Sequence, residues 1–547
     1  MTKSWIFGLF LCVQTAWADK LPAYAIASAH PLATEAGLNI LNSGGNAFDA
    51  AVTVSAVLAV VEPQGSGIGG GGFWLLHEAD KKRSIMLDGR ERAPLRATAT
   101  LYQDEHGKVI KGASKNGPLA AGIPGLPAAL VHLSEHYGKL PLKTTLAPAI
   151  NLARHGFPVN SQLVAGVKAR LSVLKQYPAS SDQFLSKGSV PKEGMILIQE
   201  DLAKTLQLLA SKGHAGFYDG EVASKLVSAV QKNGGIWHLQ DLKQYQVVER
   251  APIVGHFKGK TVVSAAPPSS GGVVLIAMLN IIELLPEISP HTIVEVMKLA
   301  YKDRAKWLGD PDYVVMPIER LLSGEQARLY AEQVNVNVAS QSTPITEHKP
   351  KGEDTTHFSI LDEAGNAVSA TLSVNYRMGS GFVAQGTGVL LNNEMDDFSS
   401  KPGHANLYGL VGSTANAIAP GKRMLSSMSP TFVYSEDSFA AIGTPGGSRI
   451  ITMVLHAVLA HLKGEPVEQW VSSRRYHHQY LPDEIQMEQG TLTASEQISL
   501  IKKGQHIKIM NRDYGNMQVI LWDKMKQAVT AASDPRGKGM ARVIAVD

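Results

Sequence analysis

The chain has 547 residues, 52 Lys and Arg against 48 Asp and Glu, a formal net charge of +4 and one cysteine. A balance that weak, with its charges interspersed, excludes a nucleic-acid binder that works through a basic face. A single cysteine excludes a disulfide framework and a cysteine-rich metal site.

Residues 1–18 read as a signal peptide, with Lys3, the apolar run Trp5–Val13 and Ala16-Trp17-Ala18 before Asp19. The run is too short to span a bilayer, and no later stretch of about 18 uninterrupted apolar residues follows. A retained N-terminal anchor is the alternative. Removal of residues 1–18 takes away Lys3 and Cys12, leaving 51 basic and 48 acidic residues (51 − 48 = +3) and no thiol. The mature chain is expected in the periplasm or secreted, without a membrane span, a Cys nucleophile or a Cys-ligated metal. Its fold rests on its core, which about 529 residues can supply.

Residues 31–44 predict a helix, with Leu32, Ala36, Leu38 and Leu41 apolar and Gly44-Gly45 as the stop. Gly65-Ser66-Gly67-Ile68-Gly69-Gly70 satisfies G-x-G-x-x-G, but the glycines lead into a strand rather than a helix, which argues against dinucleotide binding. Close backbone packing is expected there instead. Residues 73–77 and 84–88 predict a hairpin around the solvated turn Asp80-Lys81-Lys82-Arg83. Helical periodicity returns around 125–137, 145–155, 200–211, 221–233, 273–284 and 291–308. Gln341–Asp354 is polar, contains Pro344, Pro350 and Gly352, and reads as a loop. Strands dominate after it, with a helix expected at 449–463. No long linker, internal repeat or low-complexity tract divides the chain. A helix-rich first half and a strand-rich second half suggest layers.

Residues 356–361 and 367–375 predict a hairpin through the turn Asp362-Glu363-Ala364-Gly365-Asn366. With the turn centred on Ala364, facing residues sum to 728, which sets Thr355 opposite Ser373; a slip of a residue or two is the competing register. A Thr hydroxyl is a weak nucleophile without a neighbouring base. Cleavage before Thr355 would create an α-amine with a pKa of roughly 7.7–8.0, suited to that task. The same hydroxyl would make the cut by attacking the Asp354 carbonyl, and Ser373 would orient it. An ordinary hairpin rich in Thr is the alternative. His477-His478 suggests a metal pair, yet neighbours in sequence point apart and no third ligand has suitable spacing, so structural roles are expected.

The ordered segments Thr355-Thr356-His357-Phe358-Ser359, Leu391-Asn392-Asn393-Glu394-Met395-Asp396-Asp397-Phe398, Leu425-Ser426-Ser427-Met428-Ser429-Pro430 and Pro445-Gly446-Gly447-Ser448-Arg449 closely resemble the γ-glutamyltranspeptidases (glutathione hydrolases). These are self-cleaving N-terminal-nucleophile hydrolases. His30–Gly37, Glu62–Phe73, Pro268-Ser269-Ser270-Gly271-Gly272 and Ala532–Arg536 match as well, so the likeness spans about residues 22–540. It implies a four-layer αββα sandwich built jointly by a large fragment, 19–354, and a small one, 355–547, held as a heterodimer.

The resemblance also implies the site. Thr355 is the nucleophile, Ser373 its partner, and Gly446 and Gly447 the oxyanion hole. Arg90 faces the substrate α-carboxylate with Ser426 and Ser427; Arg92 is the rival cation. Asp397, Glu394 and Asn375 face the α-amine, and Asp396 stands behind them. Pro402–Gly412, with Tyr408, matches a lid that some relatives lack. Ser373 stands where many relatives have Thr, and Arg377-Met378 replaces a segment that is often small and aromatic, which leaves acceptor choice open. The expected substrates are glutathione and other γ-glutamyl compounds, with amino acids, peptides or water as acceptors and no cofactor or metal. Two rivals are a β-lactam (glutaryl) side-chain acylase of the same fold and a non-catalytic exported γ-glutamyl-binding protein.

Overall fold

The computed structural model describes residues 20–343, 355–401, 403, 406 and 408–546. The expected signal segment 1–18, residues 344–354 of the expected loop, and Pro402 lie outside the described residues.

Strands rich in Val, Ile, Thr and Ser pair into two large antiparallel sheets. The first has seven strands in the order Met540–Ala545, Ala23–Ser28, Thr356–Leu361, Ala367–Ser373, Gly71–Glu78, Arg83–Gly89 and Val248–Arg250. The second has six, Ala528–Ser533, Gln518–Asp523, Ser438–Gly443, Thr431–Tyr434, Lys260–Ser264 and Ile253–Phe257. Alternation decides which face each residue serves. Phe358, Ile360, Val368, Ala370 and Leu372 join a core with the helices of the first half. Their neighbours turn toward the second sheet, where Ser359 Oγ donates to the Gln518 carbonyl at 3.1 Å and Ser369 Oγ to that of Ile442 at 3.1 Å. The second sheet shares its core with helices Gly271–Leu284, Pro290–Trp307 and Ile450–Leu462. The order helices, sheet, sheet, helices is the four-layer sandwich that the resemblance implied.

The hairpin register holds at a sum of 728 from Ala367↔Leu361 to Leu372↔Thr356, so no slip occurs. The predicted helices appear, among them Pro31–Asn42, Leu126–His136, Glu200–Lys212 and Ile450–Leu462. Sequence reading missed Ala47–Val61 and Ser161–Leu174. Every residue of Ala47–Val61 is buried, so it has no polar face and no amphipathic period to detect.

The glycines after Glu62 serve close packing. A Cβ at Gly70 would collide with the Ser373 carbonyl oxygen, and one at Gly69 with that of Leu390. His477 bonds Thr452 and Gln479, and His478 bonds Asp483.

Candidate active site

The strand Thr356–Leu361 is third in its sheet, with partners on both sides, and Thr355 immediately precedes it. Thr356 Oγ1 donates to Glu62 Oε2 at 2.6 Å, fixing the chain just after Thr355. Gly65 passes so close that an added Cβ would lie 3.3 Å from the Thr355 carbonyl oxygen. Ser373 ends the neighbouring strand, and its Oγ accepts from the Asn375 N–H at 2.7 Å. Asn375 has φ 71°, a left-handed conformation that Asn tolerates, and this turns the chain back toward the cavity. Asn375 Nδ2 then donates to the Asn393 carbonyl at 2.9 Å, joining the two loops that carry Ser373 and Glu394.

One cavity beside Thr355 gathers Ser373, Asn375, Glu394, Asp397, Arg90, Ser426, Ser427, Tyr408 and Gly447. Of the expected site residues only Gly446 is absent from it; Gly446 lines a second cavity, which also reaches Thr355. Arg90 is fully buried and donates from Nη2 to Asp397 Oδ2 at 2.6 Å, with Nη1 3.0 Å from Glu394 Oε2. The residues expected to face opposite ends of a ligand are thus paired directly with one another. Burial works against the Arg90 charge, but Glu394 and Asp397 together hold its pKa above the ordinary value. Burial raises the carboxyls of Glu394, strongly, and Asp397, with Arg90 opposing it. Burial also pushes Glu91 up to about 8, against the guanidinium 3.6 Å away. Arg92 reaches away, with Nε donating to the Gly421 carbonyl at 2.7 Å, and does not line the cavity. Asp396 accepts from Ser114 at 2.5 Å and does not line the cavity.

Ser426 is held by the segment Pro268–Gly272. Its N–H donates to the Pro268 carbonyl at 2.8 Å, and its carbonyl accepts from the Ser270 N–H at 2.8 Å. Ser426 Oγ accepts from the Met428 N–H at 3.1 Å, and Ser427 Oγ from Arg304 Nη2 at 3.0 Å. With their oxygens occupied as acceptors, both hydroxyls can donate, which suits a carboxylate.

Gly446 and Gly447 have φ values of 143° and 59°, a path only glycine follows without strain, and lead through a short turn into helix Ile450–Leu462. The ring of Tyr408 lies where a Gly447 Cβ would be. Its hydroxyl donates to the Asn375 carbonyl at 2.9 Å. Asn406, on the same loop, donates from Nδ2 to Asp397 Oδ1 at 3.2 Å. These contacts hold Asn406 and Tyr408 against residues that line the cavity.

Sequence reasoning missed Arg304 and Asn406. Arg304 continues the buried stripe Met297, Ala300, Tyr301 at helical spacing, and a charge on an apolar stripe was the available signal. Burial pushes its pKa down to about 10. Asn392, quoted only within a motif, donates from Nδ2 to the carbonyls of Gly69 at 2.7 Å and Gly122 at 2.8 Å, tying the glycine-rich segment to the loop of Glu394.

Paired antiparallel sheets between helices, with a threonine immediately before an inner strand and lining a polar cavity, are the architecture of an N-terminal-nucleophile hydrolase. The γ-glutamyltranspeptidase family model matches residues 33–544, and the chain belongs to that family. It is 43% identical over 493 residues to a glutathione hydrolase proenzyme of Pseudomonas sp. (strain A14), covering 88% of this chain and 86% of that one. It is 40% identical over 526 residues to one of Escherichia coli (strain K12), covering 93% and 90%. Among solved structures, a cephalosporin acylase from Bacillus halodurans superposes with a TM-score of 0.83 at 28% identity, covering 96% of both chains. A Helicobacter pylori γ-glutamyltranspeptidase superposes with a TM-score of 0.56 at 38% identity, over 57% of this chain and 92% of that one.

Proposed function

We propose that the chain is an exported glutathione hydrolase and γ-glutamyltransferase that matures by cutting itself before Thr355. The observation that carries this reading is the cavity at Thr355, which offers acids and a buried arginine to a zwitterionic γ-glutamyl head. Export is supported by the signal-like residues 1–18, and among the described residues no helix is long and apolar enough to cross a membrane.

In the mature enzyme the Thr355 α-amine takes the hydroxyl proton as Oγ attacks the γ-amide carbon of glutathione. The N–H groups at Gly446 and Gly447 receive the charge that develops on the carbonyl oxygen; removing one such donor typically costs on the order of 3 kcal/mol. The C–N bond breaks, the amine returns its proton, and cysteinylglycine leaves from an ester-linked γ-glutamyl enzyme. Water or an acceptor amine then attacks the ester and restores Thr355. Because Thr355 borders both cavities, the second, with Arg377, Arg512 and Arg536 on its walls, is a route for leaving group and acceptor.

The acylase likeness supports a second reading, a glutaryl-amide hydrolase. A glutaryl group has no α-amine, so it gives Glu394 and Asp397 no cation to meet. Intact-mass analysis and N-terminal sequencing test the main reading. A small fragment beginning Thr-Thr-His-Phe is expected from the wild type, and a single uncut chain from Thr355→Ala. Cleavage of that variant at the same bond would remove Thr355 as the intramolecular nucleophile.

A further inference from the structure

Arg304 lies in the last turn of helix Pro290–Trp307, 5% exposed, and lines the same cavity as Ser426 and Ser427. Its hydrogen-bond partners are neutral: Nε donates to Ser270 Oγ at 2.9 Å and Nη2 to Ser427 Oγ at 3.0 Å. Among the described residues no carboxylate oxygen lies within 4.0 Å of its guanidinium. A buried charge normally has an ionic partner, because removal from water is costly otherwise. Asp397 and Arg90 are the charged groups that act on it across the cavity, one favouring its charge and one opposing it.

Arg90, by contrast, already has two acidic partners within 3.0 Å. Alone it has little positive field left for an incoming anion. We infer that Arg304 is a second cation for the substrate α-carboxylate, acting directly and by polarising Ser427. The hydrogen bond to Ser427 Oγ occupies that oxygen as an acceptor and leaves its O–H to donate to the carboxylate. The anion would supply the charge partner that Arg304 lacks, while Asp397 and Glu394 turn toward the substrate ammonium. This inference rests on the γ-glutamyl reading of the cavity.

The test compares γ-glutamyl-p-nitroanilide with its α-carboxamide analogue, which keeps the amine and the scissile amide but loses the anion. The wild type is expected to favour the carboxylate substrate at least tenfold in kcat/KM; equal use of both would overturn the γ-glutamyl reading itself. In self-cleaved Arg304→Gln, KM for the carboxylate substrate should rise at least tenfold, with less than a twofold change for the carboxamide. Equal losses on both would make Arg304 a purely structural clamp and overturn the inference alone. Should Arg304→Gln fail to self-cleave, Arg304→Lys decides. That variant keeps the charge but replaces the two-nitrogen fork that reaches Ser270 and Ser427 with a single nitrogen, so KM should rise at least threefold for the carboxylate substrate only. An equal change on both substrates, or none on either, overturns the inference.

Discussion

Asp397 carries two contacts whose loss has different consequences, the ion pair with Arg90 and the hydrogen bond from Asn406. Asp397→Asn keeps the shape and removes the charge that, on the proposed reading, would meet the substrate ammonium. We expect kcat/KM for a γ-glutamyl anilide to fall at least tenfold, about 1.4 kcal/mol, with a much smaller change for a glutaryl anilide. Equal losses on the two would mean that Asp397 shapes the site without reading an amine. Glu91 gives a second prediction. Neither of its buried carboxyl oxygens has a hydrogen-bond partner, and its pKa rises from 4.5 to about 8 in the fold. Between those values the unfolded chain releases the proton while the folded chain keeps it. The stability linked to this group is therefore whole below about 4.5 and is lost as the pH climbs to about 8. Glu91→Gln, measured by urea unfolding in a Thr355→Ala background, should be more stable than its parent at pH 8, the gap closing toward pH 5. A gap independent of pH would show that Glu91 is ionised throughout.

Among the elements, the hairpin was legible because turn chemistry and alternation agreed on one register, the one observed. Helix Ala47–Val61 was not, since burial on all sides erases the period that reveals a helix. The candidate site was legible where it occupies short motifs, as at Glu394 to Asp397 or Ser426-Ser427. Arg304 and Asn406 reach it from another helix and from a loop, contacts that only the packing of distant segments creates. The lid bears its own prediction. Tyr408 is held by Asn375 through its hydroxyl and by Gln479, whose Nε2 donates to its carbonyl at 3.0 Å. A lid closed here would shield an acyl-enzyme and narrow the entrance. Replacing residues 402–412 with two glycines should leave self-cleavage intact and admit bulkier substrates such as a poly-γ-glutamate oligomer. Kinetics with glutathione and the oligomer side by side decide this, and an unchanged preference would remove any gating role for the loop.

For the molecule as a whole, the position of Thr355 in the topology matters most. Residues before it supply four strands to the first sheet and two to the second; residues from Thr356 onward supply three and four. Each fragment would leave open sheet edges without the other. The cut protein should therefore elute from a gel-filtration column as one particle containing both fragments, separating only in denaturant. Elution as two species under native conditions would contradict that interdependence. The same sharing changes the molecularity of folding. Before the cut, refolding is a first-order event whose rate is independent of protein concentration. Afterwards two chains must find each other, so recovery becomes second order and fails on dilution. If the chain is cut before Thr355, the lifetime of the mature enzyme would be governed by how slowly the two chains come apart, rather than by an equilibrium that could restore them.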